Sequence, residues 1–197
     1  MRYDGEHKAR TRERVLKEAA KAIRAQGPHR VGVAEVMAKA GLTHGGFYAH
    51  FPSKDALVAA SIGQMFKEGA GRFSAETDGF TPAEGLGRYV DFYLSAKHRD
   101  SRGAGCPLPY LSADVPRLSG EAREAFAAGV ESLRARLAAR LALIDRPDPD
   151  GEAGSMLAEL VGALSLARAD ADPARSDAIL TRSRSALKTR FGLETAQ

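Results

Sequence analysis

Apolar positions in the first sixty residues recur at three- and four-residue spacing, and each run stops at a residue that ends helices. In 7–26 (HKARTRERVLKEAAKAIRAQ), Val15, Ala19, Ala22 and Ile23 form one stripe with Arg and Lys around the rest, which predicts an amphipathic helix ended by Gly27-Pro28. In 33–40 (VAEVMAKA), Val33, Val36, Met37 and Ala40 share a face, which predicts two helical turns closed by Gly41, where a left-handed conformation is cheap for glycine. Thr43 suits the N-cap of another short helix, His44 to Phe51, which Pro52 ends. Ser53 then caps a longer helix opening Lys54-Asp55-Ala56-Leu57, with an acid in its first turn to suit the helix dipole.

Helical spacing continues to the end. Candidates are Pro82 to Lys97 (Leu86, Tyr89, Val90, Tyr93 and Leu94 on one stripe), a short helix inside the Gly- and Pro-rich 102–116, Gly120 to Ile144, Asp150 to Arg168 and Pro173 to Phe191. Residues 74–81 and 145–150 read as loops. There is no alternating strand pattern, internal repeat or low-complexity tract, so the expected fold class is all-α.

VAEVMAKA, then GLT, then HGGFYAHF is the arrangement of a helix-turn-helix: two short helices joined by a tight turn containing glycine. The second helix is too short and polar for a core element, yet Phe47 and Phe51, four apart, can anchor it from below. That leaves His44, Gly45, Tyr48 and His50 outward, where such a helix enters a major groove. Gly45 and Gly46 each cost an isolated helix about 1 kcal/mol relative to Ala, which makes sense where backbone must approach a phosphate or base edge closely. The alternative is a helical hairpin with no nucleic-acid role.

Charge favours the first reading. Residues 1–60 hold 11 Lys+Arg against 6 Asp+Glu, and the remaining residues hold 18 against 19, so the basic character belongs to the N-terminal third, together with four of the five His. That is expected of a segment meeting a polyanion, although a solvated basic face gives the same count. A lone cysteine, Cys106, rules out an intramolecular disulfide and a Cys-based zinc cluster. No Gly-rich phosphate loop after a strand, Ser/His/Asp spacing or metal-ligand cluster is present, so neither an enzyme nor a cofactor or metal is expected. The charged N-terminus lacks a signal peptide's apolar core, and no run approaches the roughly 20 apolar residues of a membrane span, so a cytoplasmic protein without a membrane partner is expected.

The stretch GVAEVMAKAGLTHGGFYAHFPSKDALVAA resembles the DNA-binding signature of TetR/AcrR-family transcriptional regulators over residues 8 to about 62, most specifically in FYAHFPSKDAL. It departs at Gly32-Val33-Ala34, where the family often has a Ser or Thr reaching a phosphate. The resemblance implies a helix-turn-helix DNA-binding domain over 1–54 and a helical effector-binding and dimerisation domain over 55–197. It implies that Thr43 caps the recognition helix and meets a phosphate, that His44 and Gly45 sit at base edges, that Tyr48 and His50 hold the DNA backbone, and that Lys54 binds a phosphate. The basic arm (Lys8, Arg10, Arg12, Arg14) adds attraction that salt weakens. It further implies a homodimer through the last two helices, with Met156, Leu157, Leu160, Val161, Leu164, Ile179, Leu180, Leu187 and Phe191 as stripes one copy buries only partly. Recognition helices about one DNA turn apart would then meet a palindromic operator. The implied function is a repressor released by a small hydrophobic effector or by modification of a reactive cysteine.

Met65, Phe66, Phe92, Tyr93, Tyr110 and Phe126 are candidate effector lining, although plain core is the commoner role for each taken singly. Cys106 precedes Pro107, a residue favoured in a first helical turn. A helix start with Arg99 and Arg102 nearby would lower the thiol's pKa, and the alternative is a small buried hydrophobe. An architectural protein that coats DNA without sequence preference or effector is the other functional class compatible with these features.

Overall fold

The computed structural model describes residues 2–101 and 103–193, with side chains from residue 6 onward. In chain order its helices are α1 (Arg2–Gln26), α2 (Val33–Lys39), a 3-10 helix (His44–Ala49), α3 (Lys54–Thr77), α4 (Pro82–Tyr93), α5 (Ala96–Asp100), α6 (Leu108–Leu111), a 3-10 turn (Val115–Arg117), α7 (Gly120–Ala142), α8 (Pro149–Ala169) and α9 (Pro173–Phe191). No strand occurs among the described residues, so the all-α expectation holds.

Packing groups Met1–Lys67 with Arg102–Gly129 as one compact unit, and Glu68–Ser101 with Val130–Gln197 as another. In the first, the predicted stripe of α1 is core: Val15, Ala19 and Ile23 are inaccessible to solvent and cluster with Val36, Met37, Phe47, Phe51, Leu57, Ile62 and Met65. Gly27 takes φ +83° just past α1, and Gly41 takes φ +71° just past α2. At Gly41 the amide of Gly41 donates to Ala38 O (2.9 Å) and that of Leu42 to Met37 O (2.9 Å), the paired bonds that close a helix when its next residue is left-handed. The first unit thus turns from α2 into the following element over four residues, with the carbonyls of Val36, Met37 and Ala38 accepting.

The second unit is built on the α8–α9 hairpin with α4 and α5 against it. Its helix starts are fixed by side chains. Thr81 and Glu84 form a reciprocal capping box on α4 (Thr81 N–H to Glu84 Oε2, 3.1 Å), Asp148 caps α8 and Asp172 caps α9. Pro82–Lys97 was expected as one helix. It divides because Leu94 ends α4 and Ser95 caps a new start, accepting from the His98 amide (3.1 Å). Other corrections are at ends: α3 runs on to Thr77, so the loop expected over 74–81 is shorter, and α8 begins at Pro149 within the expected loop 145–150.

A buried polar knot ties α5, α8 and α9. The Ser176 hydroxyl donates to Ala167 O (2.6 Å) and accepts from Arg99 Nη1 (2.8 Å), while Arg168 donates to the carbonyls of His98 (2.9 Å) and Arg99 (3.0 Å). Replacing Ser176 by Ala removes the donor to Ala167 O and one of the two acceptors of Arg99 Nη1, and about 1–3 kcal/mol of unfolding free energy is expected to be lost in a urea titration. A midpoint unchanged from the parent would show that the knot adds nothing to stability.

The stripes read as a dimer surface are mostly interior to this unit. Met156, Leu157, Leu160, Leu164, Leu180, Leu187 and Phe191 are buried within one chain, whereas Val161 and Ile179 are half-buried. The large apolar side chain left outside on α8 is Leu166, 63% exposed. Periodicity marks the buried side of a helix without saying which neighbour covers it; here the α8–α9 contact does.

Candidate nucleic-acid interface

The segment between α2 and α3 is short, and its two faces are sharply different. Phe47 is 2% exposed and Tyr48, the next residue, is 71% exposed. Phe47 stacks on Phe51 at a ring separation of 5.8 Å and meets the edge of Tyr48 at 5.2 Å, so the anchoring aromatics also brace the outward one. Met37 of α2 packs beneath, its Cε 3.8 Å from where a Cβ on Gly46 would lie. The buried anchor and the outward face expected from the sequence are both present at Phe47 and Tyr48.

The probe is a 3-10 helix over His44–Ala49, not the helix expected to run from His44 to Phe51. Its backbone bonds are mostly of the tighter kind, Gly46 N–H to Thr43 O (3.1 Å) and His50 N–H to Phe47 O (2.9 Å). Two glycines in so short a segment remove the propensity that would hold an ordinary helical turn. Thr43 occupies the N-cap with extended backbone angles, but its hydroxyl makes no capping bond, which corrects the expected side-chain cap. At the next helix the expected cap is made, with the Ala56 amide donating to Ser53 Oγ (3.0 Å).

Thr43, His44, Gly45 and Tyr48 are exposed together on this segment. A Cβ built on Gly45 meets nothing within 4 Å, that on Gly46 makes only an ordinary contact, and neither residue has positive φ. The chain's own packing therefore does not require glycine at either position. His50 is half-buried, and its Nδ1 is enclosed without a hydrogen-bond partner among the described residues. Burial holds its pKa below the ordinary imidazole value, and the positive charges of Lys8 and Arg12 depress it further. The Arg12 guanidinium lies 4.8 Å above the Phe51 ring. Lys54 is exposed at the start of α3 and donates to the His29 carbonyl (3.1 Å), so its position is fixed by the loop before α2. Sequence reading missed this tether, and nothing in the residue types signals it.

The effector candidates divide. Met65 is fully buried, and Phe66, Tyr110 and Phe126 pack against the core of the first unit, with Phe66 and Phe126 edge to face at 5.6 Å. Cys106 is buried in the same unit, one residue before the Pro107 N-cap of the four-residue α6. Phe92 and Tyr93 belong to the second unit, in an aromatic cluster with His98: His98 stacks on Phe92 (5.1 Å) and meets Tyr93 edge-on (4.9 Å). Tyr93 is fully buried there, which fits plain core. Arg99, expected to acidify the thiol, is committed to Asp100, Asp177 and Ser176, and Arg102 lies outside the described residues. Among the described residues no group of His, Cys, Asp and Glu could hold a metal ion, and no helix is long and apolar enough to cross a membrane.

Residues 15–61 match the family described as "Bacterial regulatory proteins, tetR family". No curated protein matches the chain. Among solved structures, a TetR transcriptional regulator from Chloroflexus aurantiacus superposes with a TM-score of 0.80 at 25% identity, over 95% of this chain and 96% of that one. The reduced form of NemR from E. coli gives 0.79 at 23%, over 91% and 96%. A TetR-family regulator from Cytophaga hutchinsonii gives 0.80 at 22%, over 97% and 98%.

Proposed function

Because this chain carries the DNA-binding domain of the TetR family at residues 15–61 and has the fold of TetR/AcrR transcriptional regulators, we propose that it is a sequence-specific repressor whose hold on a palindromic operator is released by a small hydrophobic effector or by modification of Cys106. The observation that carries the DNA-binding part is the outward face of the 3-10 helix. Thr43, His44, Gly45 and Tyr48 stand exposed over a phenylalanine anchor, with glycines that nothing inside the protein demands. His44 and Gly45 meet base edges, Tyr48 and His50 hold the backbone, and Thr43 and Lys54 contact phosphates, with the arm adding charge. Functionally, 1–54 binds DNA and 55–197 senses and pairs with a second copy through α8 and α9, where Leu166 is exposed.

For Cys106, support comes from its place just before a helix start and from the likeness to NemR, solved in a form described as reduced. Its burial supports the quieter role of a core thiol. Cys106→Ser separates the two, since a DNA complex still released by peroxide or N-ethylmaleimide after the change excludes the sensor.

Gly45→Ala tests the DNA reading. Folding stability is expected to stay level or rise by up to about 1 kcal/mol, while affinity for a duplex selected from a random pool falls at least tenfold because the new methyl group faces the DNA. Unchanged affinity would remove Gly45 from the contact surface. The architectural alternative is separated by the pool itself: a specific regulator prefers its selected duplex by about 10³-fold or more, whereas preference within tenfold of random DNA favours coating.

A further inference from the structure

We propose that Lys8, Arg12 and His50 form one seat for a single DNA backbone phosphate, in which the two α1 side chains supply the charge and His50 contributes a hydrogen bond as a neutral imidazole. The proposal rests on the DNA-binding reading above and says which members of the basic arm act and how.

Lys8 and Arg12 are one helical turn apart and exposed on α1. Arg12 lies over the ring of Phe51, the chain neighbour of His50, at 4.8 Å. A guanidinium held over an aromatic face can keep N–H groups available, and less side-chain entropy is lost when they grip an anion. Arg10 and Arg14 lie two residues to either side of Arg12, about 200° around the helix, on a different face of α1. The four arm cations are therefore not equivalent.

His50 cannot easily join them as a third cation. Protonating Nδ1 would place a donor where no acceptor stands among the described residues. The charged groups facing it, Lys8 and Arg12 on α1, both oppose a further positive charge. On its own segment no carboxylate lies between His44 and Lys54, and Lys54 itself is tethered to the His29 carbonyl. With a folded-state pKa below the unfolded one, protonation favours unfolding, so in the free protein the imidazole takes up its proton at a lower pH than an ordinary histidine. A neutral imidazole with an unprotonated Nδ1 carries its proton on Nε2, and that N–H is the donor to the phosphate.

The test uses the full-length protein and a generic 30-base-pair duplex, because a phosphate contact does not depend on sequence. The dependence of log Kd on log salt concentration is measured for the parent, Arg12→Gln, Lys8→Gln, Arg10→Gln and Arg14→Gln, with inorganic phosphate as a competitor. Arg12→Gln and Lys8→Gln are each expected to lower the slope by about 0.9, the value of one released counterion, and Arg10→Gln and Arg14→Gln to leave it unchanged. Inorganic phosphate at millimolar concentration should not compete, since a free anion lacks the rest of the duplex; competition would make this an anion site independent of DNA and overturn the seat. Affinity at fixed ionic strength should vary less than threefold between pH 7.5 and 6.0. His50→Gln, which keeps a neutral donor, should bind within about threefold of the parent and His50→Phe at least tenfold more weakly. Equal slopes for all four arm variants overturn the seat, and tighter binding at pH 6.0 that His50→Gln abolishes overturns the neutral histidine. A parent protein that binds no duplex at all overturns the DNA reading first, and the seat with it.

Discussion

Truncating Phe47 to Ala is expected to remove about 3–5 kcal/mol of folding stability, the usual loss for a fully buried aromatic, whereas truncating Tyr48 is expected to leave stability within about 0.5 kcal/mol and weaken duplex binding at least tenfold. The two residues adjoin in sequence, so the contrast comes from orientation alone: one ring is 2% exposed and the other 71%. Phe47 stacks on Phe51 within the cluster that also contains Ile23, Met37 and Leu57. Its loss opens a cavity between α1, α2 and α3 that the short 3-10 helix, with two glycines, has no strength of its own to close. Tyr48 is exposed and packs against Phe47 in a T-shaped arrangement. Urea denaturation and fluorescence anisotropy on the same preparations give both numbers. A Tyr48→Ala protein that is strongly destabilised would mean that this ring is structural and that the outward face is smaller than it looks.

Gly129→Ala carries the second large effect. Gly129 is buried on α7, and a Cβ built there would lie 2.1 Å from Cδ2 of Phe66, with the ring's neighbouring carbons at 2.3 and 2.4 Å. No ring tolerates such an approach, so Phe66 must rotate away and break its edge-to-face pairing with Phe126. Overpacking of this kind costs typically about 1–3 kcal/mol. The cause is one contact, so relief should be specific: in a Phe66→Leu background the same substitution should cost less than half as much, and the two losses should fall well short of additive. Full additivity in denaturant titrations would place the strain elsewhere on α7.

How far the sequence disclosed this molecule depends on what kind of interaction decided each feature. α1, α2 and α9 were legible because apolar spacing and stop residues agree. Gly41 terminates α2 through its positive φ, and Pro173 opens α9 behind the Asp172 cap. The break between α4 and α5 was not legible, because Ser95 acts as a cap only once the chain has already turned at Leu94. The 3-10 winding of His44–Ala49 was hidden for a related reason: the glycines announce weakness but do not choose among the conformations that weakness permits. In α8 the stripe from Met156 to Leu164 was expected from the family resemblance to need a second chain, and within one chain it is buried, with α8 packed against α9.

At the site, residue types were enough to separate Phe47 and Phe51 from His44, Gly45 and Tyr48, since bulk and polarity sort the two faces. They were not enough to place Lys54 against the His29 carbonyl or Arg12 over Phe51, because long side chains reach partners that no local pattern encodes. Cys106 illustrates the converse: its neighbours in sequence suggested an activated thiol, while the structure buries it and gives Arg99 to Asp100 and Asp177.

The central claim is that the exposed side of residues 43–50 enters a major groove. Interference with 7-deazapurines addresses it directly, since replacing purine N7 by C–H removes an acceptor presented only in that groove. On the selected duplex, substitution should abolish binding at purines in two clusters about 10–10.5 base pairs apart, and those at the cluster centres should cease to matter in His44→Ala and Gly45→Ala. A duplex fully substituted with 7-deazapurines that binds as tightly as the natural one would contradict the account.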